Sequence, residues 1–244
     1  MNKYNKDSFY ENSFGIFGCE NQKLLLEVRK KISKISLKHG YKLKPRSFEK
    51  VSEVKLNDFT KKMNNELGTL NLDVINSFSK TIKKLCGSKI AVQKKPYIRV
   101  NCSHLNDTSI VAHTDFDFGR SPYGFNIWIP MFDVIKKSGI FVYSFLDSKK
   151  IYKDFKFDKK LDNHIKILKK NNLKKEFLKP KFSEAVILSN VNVHGSIREK
   201  KSYPRISINM HFQNVNDLYG EIGAEFFSFA SYDHKTNQYR LVSV

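Results

Sequence analysis

The chain has 244 residues, 40% hydrophobic and 28% charged, a balance that excludes the disordered class and predicts a folded core. It contains no run of about 18 apolar residues and begins without a basic and apolar leader, so neither a membrane span nor a secretory signal is expected. Its three cysteines are odd in number and widely spaced, which predicts no disulfide framework and favours a reducing, cytoplasmic location.

The net charge is unusually positive, with 44 Lys and Arg against 24 Asp and Glu, or +20. One interpretation is a set of solvated lysine-rich faces. The other is attraction of an anionic substrate, a nucleic acid or a membrane surface. The lysines are dispersed along the chain and do not form one block with interleaved aromatics, so a nucleic-acid partner is possible but not favoured.

The first third of the chain predicts helices. Residues 1–19 show no period and predict an irregular arm. Three patterns with apolar spacings of three and four then follow, and each ends on a glycine that would stop a helix in the left-handed conformation. The patterns are Leu25, Val28, Ile32 and Ile35; Leu56, Phe59, Met63 and Leu67; and Ile75, Phe78, Ile82 and Leu85, followed by Gly40, Gly68 and Gly87 respectively.

From about residue 89 the period changes to two, which predicts strands. A lysine-rich stretch, 148–181, interrupts them with a fourth helical pattern at Leu161, Ile165 and Leu168, and resembles a lid-like insertion. Residues 226–244, broken at 234–237, predict a C-terminal hairpin. The predicted strands are residues 97–102, 108–115, 125–130, 140–146, 185–190 and 205–212.

This order predicts a single domain over residues 1–244 with an all-β core and flanking helices, an α+β arrangement. A helical part (1–88) would precede the core (89–213), and an extension (214–244) would follow it. The N-terminal helices would pack on one face of a sheet.

Within the strands, polar and apolar residues alternate. On 205–212, Arg205, Ser207, Asn209 and His211 share one face, while the other face is wholly apolar. If the apolar faces pack on the helices, the polar faces meet water or line the inside of a curved sheet that holds a polar ligand.

His113-Thr114-Asp115 is the strongest chemical signal, because two-residue spacing in an extended segment places an imidazole and a carboxylate on one face. His194 follows another apolar run and supplies a second imidazole. Two histidines and one carboxylate leave open positions on a metal and are typical of non-haem iron(II) oxygenases. Asp117 competes with Asp115 for the carboxylate role, although the spacing favours Asp115.

Arg205 and Ser207 lie eleven and thirteen residues after His194, and a guanidinium beside a hydroxyl is well suited to bind a carboxylate. Asn126 lies on a polar face and could bind the same co-substrate or simply satisfy its neighbours. Substrate contacts are less certain for Arg99, Asn101, Trp128 and His211, since Trp128 could serve packing and His211 could be structural.

The stretch from His113-Thr114-Asp115 to Asn126-Ile127-Trp128-Ile129-Pro130 resembles the phytanoyl-CoA dioxygenase group of the Fe(II)/2-oxoglutarate dependent dioxygenases, and the resemblance spans about residues 95 to 213. It implies a double-stranded β-helix, a cupin-like jelly-roll barrel. It also implies that His113, Asp115 and His194 bind Fe(II), and that Arg205 and Ser207 hold 2-oxoglutarate. With O2 as co-substrate, such an enzyme hydroxylates a C–H bond and releases succinate and CO2.

The substrate is expected to be a polar or anionic small molecule. Desaturation, epimerisation and ring closure stay open as alternatives to hydroxylation. A macromolecular hydroxylase or demethylase acting on nucleic acid or protein is a second hypothesis. A non-catalytic cupin-like binding protein is a third, although the presence of Arg205 argues against it, because a pure scaffold gains nothing from burying a cation.

Overall fold

The computed structural model describes residues 6–102, 104–105, 112–134, 139–155, 173–196 and 204–242. Five helices precede the main run of strands, and a sixth lies between the fifth and sixth strands. They are α1 (Lys6–Asn12), α2 (Gln22–Lys38), α3 (Glu53–Glu66), α4 (Asn71–Asn76), α5 (Ser79–Cys86) and α6 (Phe145–Phe155).

The first two predicted helices are confirmed as α2 and α3, whereas the third is divided into α4 and α5. The division falls at Ser77, whose hydroxyl donates to the Asp73 carbonyl at 2.8 Å, a local bond that competes with helix continuation. Gly40 and Gly87 have φ of +85° and +82°, as helix stops should. The same prediction for Gly68 is wrong, because Gly68 begins a 3-10 turn, Gly68–Leu70.

Eleven strands are present in the described part of the chain. They are β1 (Phe14–Gly18), β2 (Lys89–Gln93), β3 (Tyr97–Asn101), β4 (Phe125–Pro130), β5 (Ile140–Val142), β6 (Glu176–Leu178), β7 (Glu184–Ser189), β8 (His194–Ser196), β9 (Arg205–Asn214), β10 (Phe227–Asp233) and β11 (Gln238–Leu241).

The strands form two antiparallel sheets. The large sheet has eight strands in the order β1-β7-β4-β9-β2-β10-β11, with β3 also paired to β9, and the small sheet has the order β6-β5-β8. β9 is the central strand, since it pairs with β4 along one edge and with β2 and β3 in succession along the other. Between the described strands, the two sheets do not join into one closed hydrogen-bonded barrel.

Four of the predicted strands are confirmed as β3, β4, β7 and β9, and the C-terminal hairpin is confirmed as β10 and β11. The prediction for residues 140–146 is wrong beyond Val142, because α6 begins at Phe145. The described end of 108–115 holds only an isolated bridge between His113 and His194. The pattern at Leu161, Ile165 and Leu168 lies outside the described residues, as does half of the lid-like segment.

The prediction of an irregular N-terminal arm is also wrong. Residues 6–18 form α1 and β1, and β1 pairs antiparallel with β7 along the edge of the large sheet. β10 likewise pairs with β2, so both chain termini contribute strands to this sheet. The proposed boundaries at 88 and 213 therefore cut through one sheet, and the domain organisation stays a prediction.

The main core lies between helices α2 to α5 and one face of the large sheet. From β9, Ile206, Ile208, Met210 and Phe212 are buried in it, which places the predicted apolar face against the helices. The opposite face of the large sheet meets the small sheet, where Trp128, Val142 and Leu188 belong to a second cluster. The polar face of β9 is consequently turned into the space between the sheets.

No described helix combines the length and the apolar character that crossing a bilayer requires.

Candidate active site

A cavity of about 380 Å³ opens between the two sheets. Its large-sheet wall carries the polar side chains of the central strands, while β5 and β8 contribute from the small sheet. The alternation in sequence left the polar faces to meet water or to line a ligand cavity, and they line this cavity, while the apolar faces of the same strands are buried under the helices. From the large sheet, Arg99, Asn126, Trp128, Arg205, Asn209 and His211 line the cavity.

At one end of the cavity, ligand atoms of His113, Asp115 and His194 all lie within 4.8 Å of one another. The Asp115 carboxylate lies between the two imidazoles. Its Oδ1 is 3.8 Å from His113 Nε2, and its Oδ2 is 3.8 Å from His194 Nε2. Because ligand bonds to a first-row metal measure about 2.0–2.2 Å, donor atoms at this separation can share one ion.

The backbone positions these side chains. His113 and His194 exchange two hydrogen bonds, N–H to carbonyl, at 3.0 and 2.9 Å, which places the two histidines directly opposite each other. After His113 the chain leaves the extended conformation, and Asp115 precedes the 3-10 turn Phe116–Phe118. The sequence predicted an extended strand through Asp115. Instead, a turn follows the His113–His194 bridge, and this turn brings the Asp115 carboxylate next to the His113 imidazole.

Asp117 does not join this cluster. It is exposed, and its Oδ2 accepts hydrogen bonds from the Thr114 hydroxyl at 2.7 Å and the Thr114 backbone N–H at 3.1 Å. The Thr114 hydroxyl also accepts from the Asp117 backbone N–H at 3.1 Å. Asp117 therefore closes the turn that presents Asp115.

Two further contacts orient the cluster. His194 Nδ1 lies 3.0 Å from the Asn192 carbonyl oxygen, so Nδ1 carries the proton and Nε2 keeps its lone pair toward Asp115. Asn126 Nδ2 donates to Asp115 Oδ2 at 3.0 Å. The sequence allowed Asn126 to bind a co-substrate or its neighbours, and the contact observed is with the carboxylate.

The surroundings favour protonation states that suit a metal site. Burial lowers the pKa of His194 to about 4 and that of His211 to about 4. Burial alone would raise the pKa of Asp115, but the imidazoles of His194, His211 and His113 oppose it and hold that pKa well below its usual range. Neutral imidazoles and an ionised carboxylate are the forms that coordinate cations.

Arg205 lies farther along the cavity. Its Nη1 donates to the Gly139 carbonyl at 2.5 Å, and its guanidinium lies 5.2 Å from the Trp128 ring centroid. Burial, followed by the nearby Arg99, lowers the pKa of Arg205 to about 10. Ser207 is fully buried, and its hydroxyl has no hydrogen-bond partner in the described part of the chain.

Of the four residues predicted to contact substrate, three line the cavity and one does not. Arg99, Trp128 and His211 line the cavity, although Trp128 also packs in the cluster between the sheets. His211 Nδ1 lies 3.3 Å from Asn190 Oδ1. Asn101 does not line the cavity but donates to the Ser196 hydroxyl at 3.1 Å.

Eight residues that line the cavity were not among the predicted site residues: Tyr97, Phe118, Arg120, Ile140, Leu188, Gly195, Ser196 and Asn209. Ser196 could have been found, because it follows His194 by two residues in a strand and shares its face. Tyr97 shares a strand face with Arg99 in the same way. Phe118 and Arg120 come from the turn after Asp115, where no strand period applies.

No protein-family model and no curated protein matches the chain. Solved structures do match. The non-heme alpha-ketoglutarate dependent carbocyclase SnoK from nogalamycin biosynthesis aligns with a TM-score of 0.55 at 11% identity, covering 89% of this chain and 87% of that one. EctD from S. alaskensis, solved with bound Fe, aligns with a TM-score of 0.56 at 8% identity, covering 87% and 76%.

HygX from Streptomyces hygroscopicus aligns with a TM-score of 0.51 at 9% identity, covering 86% of each chain. The fold is that of the non-heme iron and 2-oxoglutarate oxygenases. This confirms the predicted jelly-roll class with flanking helices, while membership of the phytanoyl-CoA dioxygenase group stays a prediction.

Proposed function

We propose that the protein is an Fe(II) and 2-oxoglutarate dependent oxygenase that hydroxylates a C–H bond of a polar or anionic small molecule. One observation carries the proposal. Two imidazoles and a carboxylate from two distant segments of the chain converge within 4.8 Å, in a cavity that is also lined by the partly buried Arg205.

The donor set fits iron. Two nitrogen ligands and one oxygen ligand on one side of an ion leave positions for a chelating co-substrate and for dioxygen, which distinguishes this set from closed structural zinc sites. His113, Asp115 and His194 would hold the ion. The Asn192 carbonyl would fix the tautomer of His194, and Asn126 would fix the orientation of Asp115.

The far end of the cavity fits the distal carboxylate of 2-oxoglutarate. Arg205 would supply the charge. Ser207 does not line the cavity, but it shares a face of β9 with Arg205, and its hydroxyl, buried without a hydrogen-bond partner among the described residues, would supply a donor. A buried polar group without a partner costs free energy that a bound carboxylate would recover. Ser196 adds a second hydroxyl on the small-sheet side.

When bound, Fe(II), 2-oxoglutarate and O2 supply the oxidation chemistry, with succinate and CO2 as the by-products. The chain's own residues bind and orient the reactants. The two sheets enclose the cavity and limit the access of water to it.

The test is anaerobic addition of Fe(II) and 2-oxoglutarate, followed by the visible charge-transfer band of the chelate and then by a succinate assay after oxygen is admitted. We expect both signals in the wild type. His194→Ala should lose both, while the exposed His234→Ala serves as the matched control and should keep both. Absence of band and succinate from the wild-type protein would rule out the proposed function.

A further inference from the structure

The charges that line the cavity do not balance. Its described lining contains three guanidinium groups, those of Arg99, Arg120 and Arg205, against the single carboxylate of Asp115. Fe(II) and the 2-oxoglutarate dianion cancel each other, so loading the site as proposed leaves two of these positive charges without compensation. Arg120 and Arg205 are partly buried, whereas Arg99 is exposed at the cavity surface. A partly buried charge is costly unless an anion accompanies it.

Arg120 lines the cavity and comes two residues after the turn Phe116–Phe118 that follows Asp115. Its guanidinium stacks on Phe226, with Cζ 4.0 Å from the ring centroid, which restricts its orientation. Its Nη1 is buried and has no hydrogen-bond partner in the described part of the chain. Burial lowers the pKa of Arg120, and the Tyr97 side chain and Asp115 oppose that effect.

Arg99 lies on β3, which is paired with β9 in the large sheet. In the register of β3 and β9 it is opposite Ser207, and Tyr97 is opposite Asn209. Arg99 forms no ion pair with any carboxylate of the described chain. The Asn209 side-chain oxygen is buried and has no hydrogen-bond partner among the described residues. The Tyr97 side chain hydrogen-bonds to Arg120, while Arg99 places a cation near the Asn209 oxygen that has no partner among the described residues.

We infer that Arg120 and Arg99 form a second oxyanion subsite in the cavity, which binds a carboxylate or phosphate group of the substrate. The inference rests on the proposed function, since it assigns Arg205 to 2-oxoglutarate and leaves these two arginines to the substrate. Guanidinium groups suit both anions because they present paired N–H donors.

The experiment uses the protein loaded anaerobically with Fe(II) and saturating 2-oxoglutarate, so that the co-substrate site is filled. Binding of acetate and of methyl phosphate is measured by calorimetry and by the change in the charge-transfer band, with acetamide and trimethyl phosphate as neutral counterparts. We expect one anion to bind at least about tenfold more tightly than its neutral counterpart. Which anion it is distinguishes a carboxylate from a phosphate substrate.

The variants are Arg120→Gln and Arg99→Gln. Each should lower the affinity for the preferred anion by about tenfold or more and leave the affinity for 2-oxoglutarate within about twofold of the wild type. Arg120→Lys keeps the charge and should lose less. Arg240→Gln removes an arginine that is exposed on β11 and paired with Asp233 at 2.9 Å, and should change nothing.

Three results would overturn the subsite. The first is equal affinity of the protein for an anion and its neutral counterpart, and the second is an equal loss of anion affinity in Arg240→Gln. The third is a loss of 2-oxoglutarate affinity in Arg120→Gln or Arg99→Gln with unchanged anion affinity. If the chelate band forms but the anion preference is absent, the subsite fails and the proposed function stands. If no band forms, the proposed function fails, and calorimetry on the metal-free protein and its variants still decides whether the two arginines bind an anion.

Discussion

At the scale of single residues, Asp115 and Asp117 are two positions apart but have opposite surroundings. Asp115 is buried between two imidazoles, whereas Asp117 is exposed and bonded to Thr114. The first arrangement favours binding of a cation, and the second stabilises a turn. The two carboxylates should therefore respond differently to the same isosteric substitution.

Asp115→Asn should lower the affinity for Fe(II) or Co(II) by more than about 100-fold, because it removes the only anionic donor of the described cluster. This loss is larger than the loss of about 10- to 100-fold that is typical of residues that only support a ligand. Asp117→Asn should keep metal affinity within about threefold, because only the turn is weakened. Metal titration followed by calorimetry measures both. Equal losses in the two variants would show that the assignment of the carboxylate ligand is wrong.

Asn126 acts on Asp115 through one hydrogen bond of 3.0 Å. Removing it in Asn126→Ala should weaken metal binding by about 10- to 100-fold, the range typical of residues that orient a ligand. The comparison variant is Asn57→Ala, on the exposed side of α3. An unchanged metal affinity in Asn126→Ala would mean that Asp115 is held by its backbone alone.

The site residues could be predicted where a strand period applied. The strand period correctly placed Arg205 and His211 on the cavity wall. His113 and Asp115 were paired by spacing in an expected strand, although Asp115 lies at the start of a turn, and His194 was proposed from its place after an apolar run. The roles of these residues stay predictions. Arg120 and Phe118 were not found, because a 3-10 turn follows no period of two. Asn192 was not found because it acts through its backbone carbonyl, which every residue type has.

At the scale of elements, the connection between β7 and β8 depends on the N-terminal arm. Asn192 donates to the Asn12 carbonyl at 3.0 Å and to the Tyr143 carbonyl at 3.1 Å. Its own carbonyl orients His194. The arm, the segment between β5 and α6, and a candidate metal ligand thus meet at one fully buried residue, Asn192.

Asn192→Ala should lower the free energy of unfolding by about 1–3 kcal/mol, because two buried carbonyls lose their donor. Urea denaturation monitored by circular dichroism measures the change. Asn216→Ala, at an exposed position, should stay within about 0.5 kcal/mol of the wild type. A loss as large at Asn216 would mean that the effect is not specific to this connection.

The helices α2 and α3 could be predicted because one face of each is buried and the other is not. The strands β3, β4 and β9 could be predicted because polar and apolar side chains alternate along them, although both faces of β4 and β9 are buried, and β7 because it is a continuous apolar run. β1, β6 and β8 are too short for a period to be visible, and α6 replaced part of a predicted strand. The break between α4 and α5 depends on the side chain of Ser77, which carries no periodic signal.

At the scale of the whole molecule, the candidate metal site joins parts of the chain that belong to different layers. His194 lies on β8 of the small sheet, and Asp115 is held by Asn126 on β4 of the large sheet. A ligand that binds only the folded state stabilises it in proportion to the logarithm of its concentration.

Saturating Co(II) or Ni(II) should therefore raise the thermal midpoint by several degrees, about 2–4 °C for each kcal/mol in a protein of this size. Differential scanning fluorimetry measures the shift. His194→Ala should lose it, and His234→Ala should retain it. A shift that survives in His194→Ala would indicate that the metal binds elsewhere on the protein.

The short strand β1 has a consequence for solubility. β7 is an apolar strand, with Ala185, Val186, Ile187 and Leu188 all buried, and β1 covers its outer edge. Without that cover, the free backbone groups of β7 would be available to pair with another copy of the chain, the usual route to edge-to-edge aggregation. β1 itself is five residues long and contains Gly15 and Gly18, which makes it a poor template for further strands. The N-terminal arm thus protects the protein against self-association.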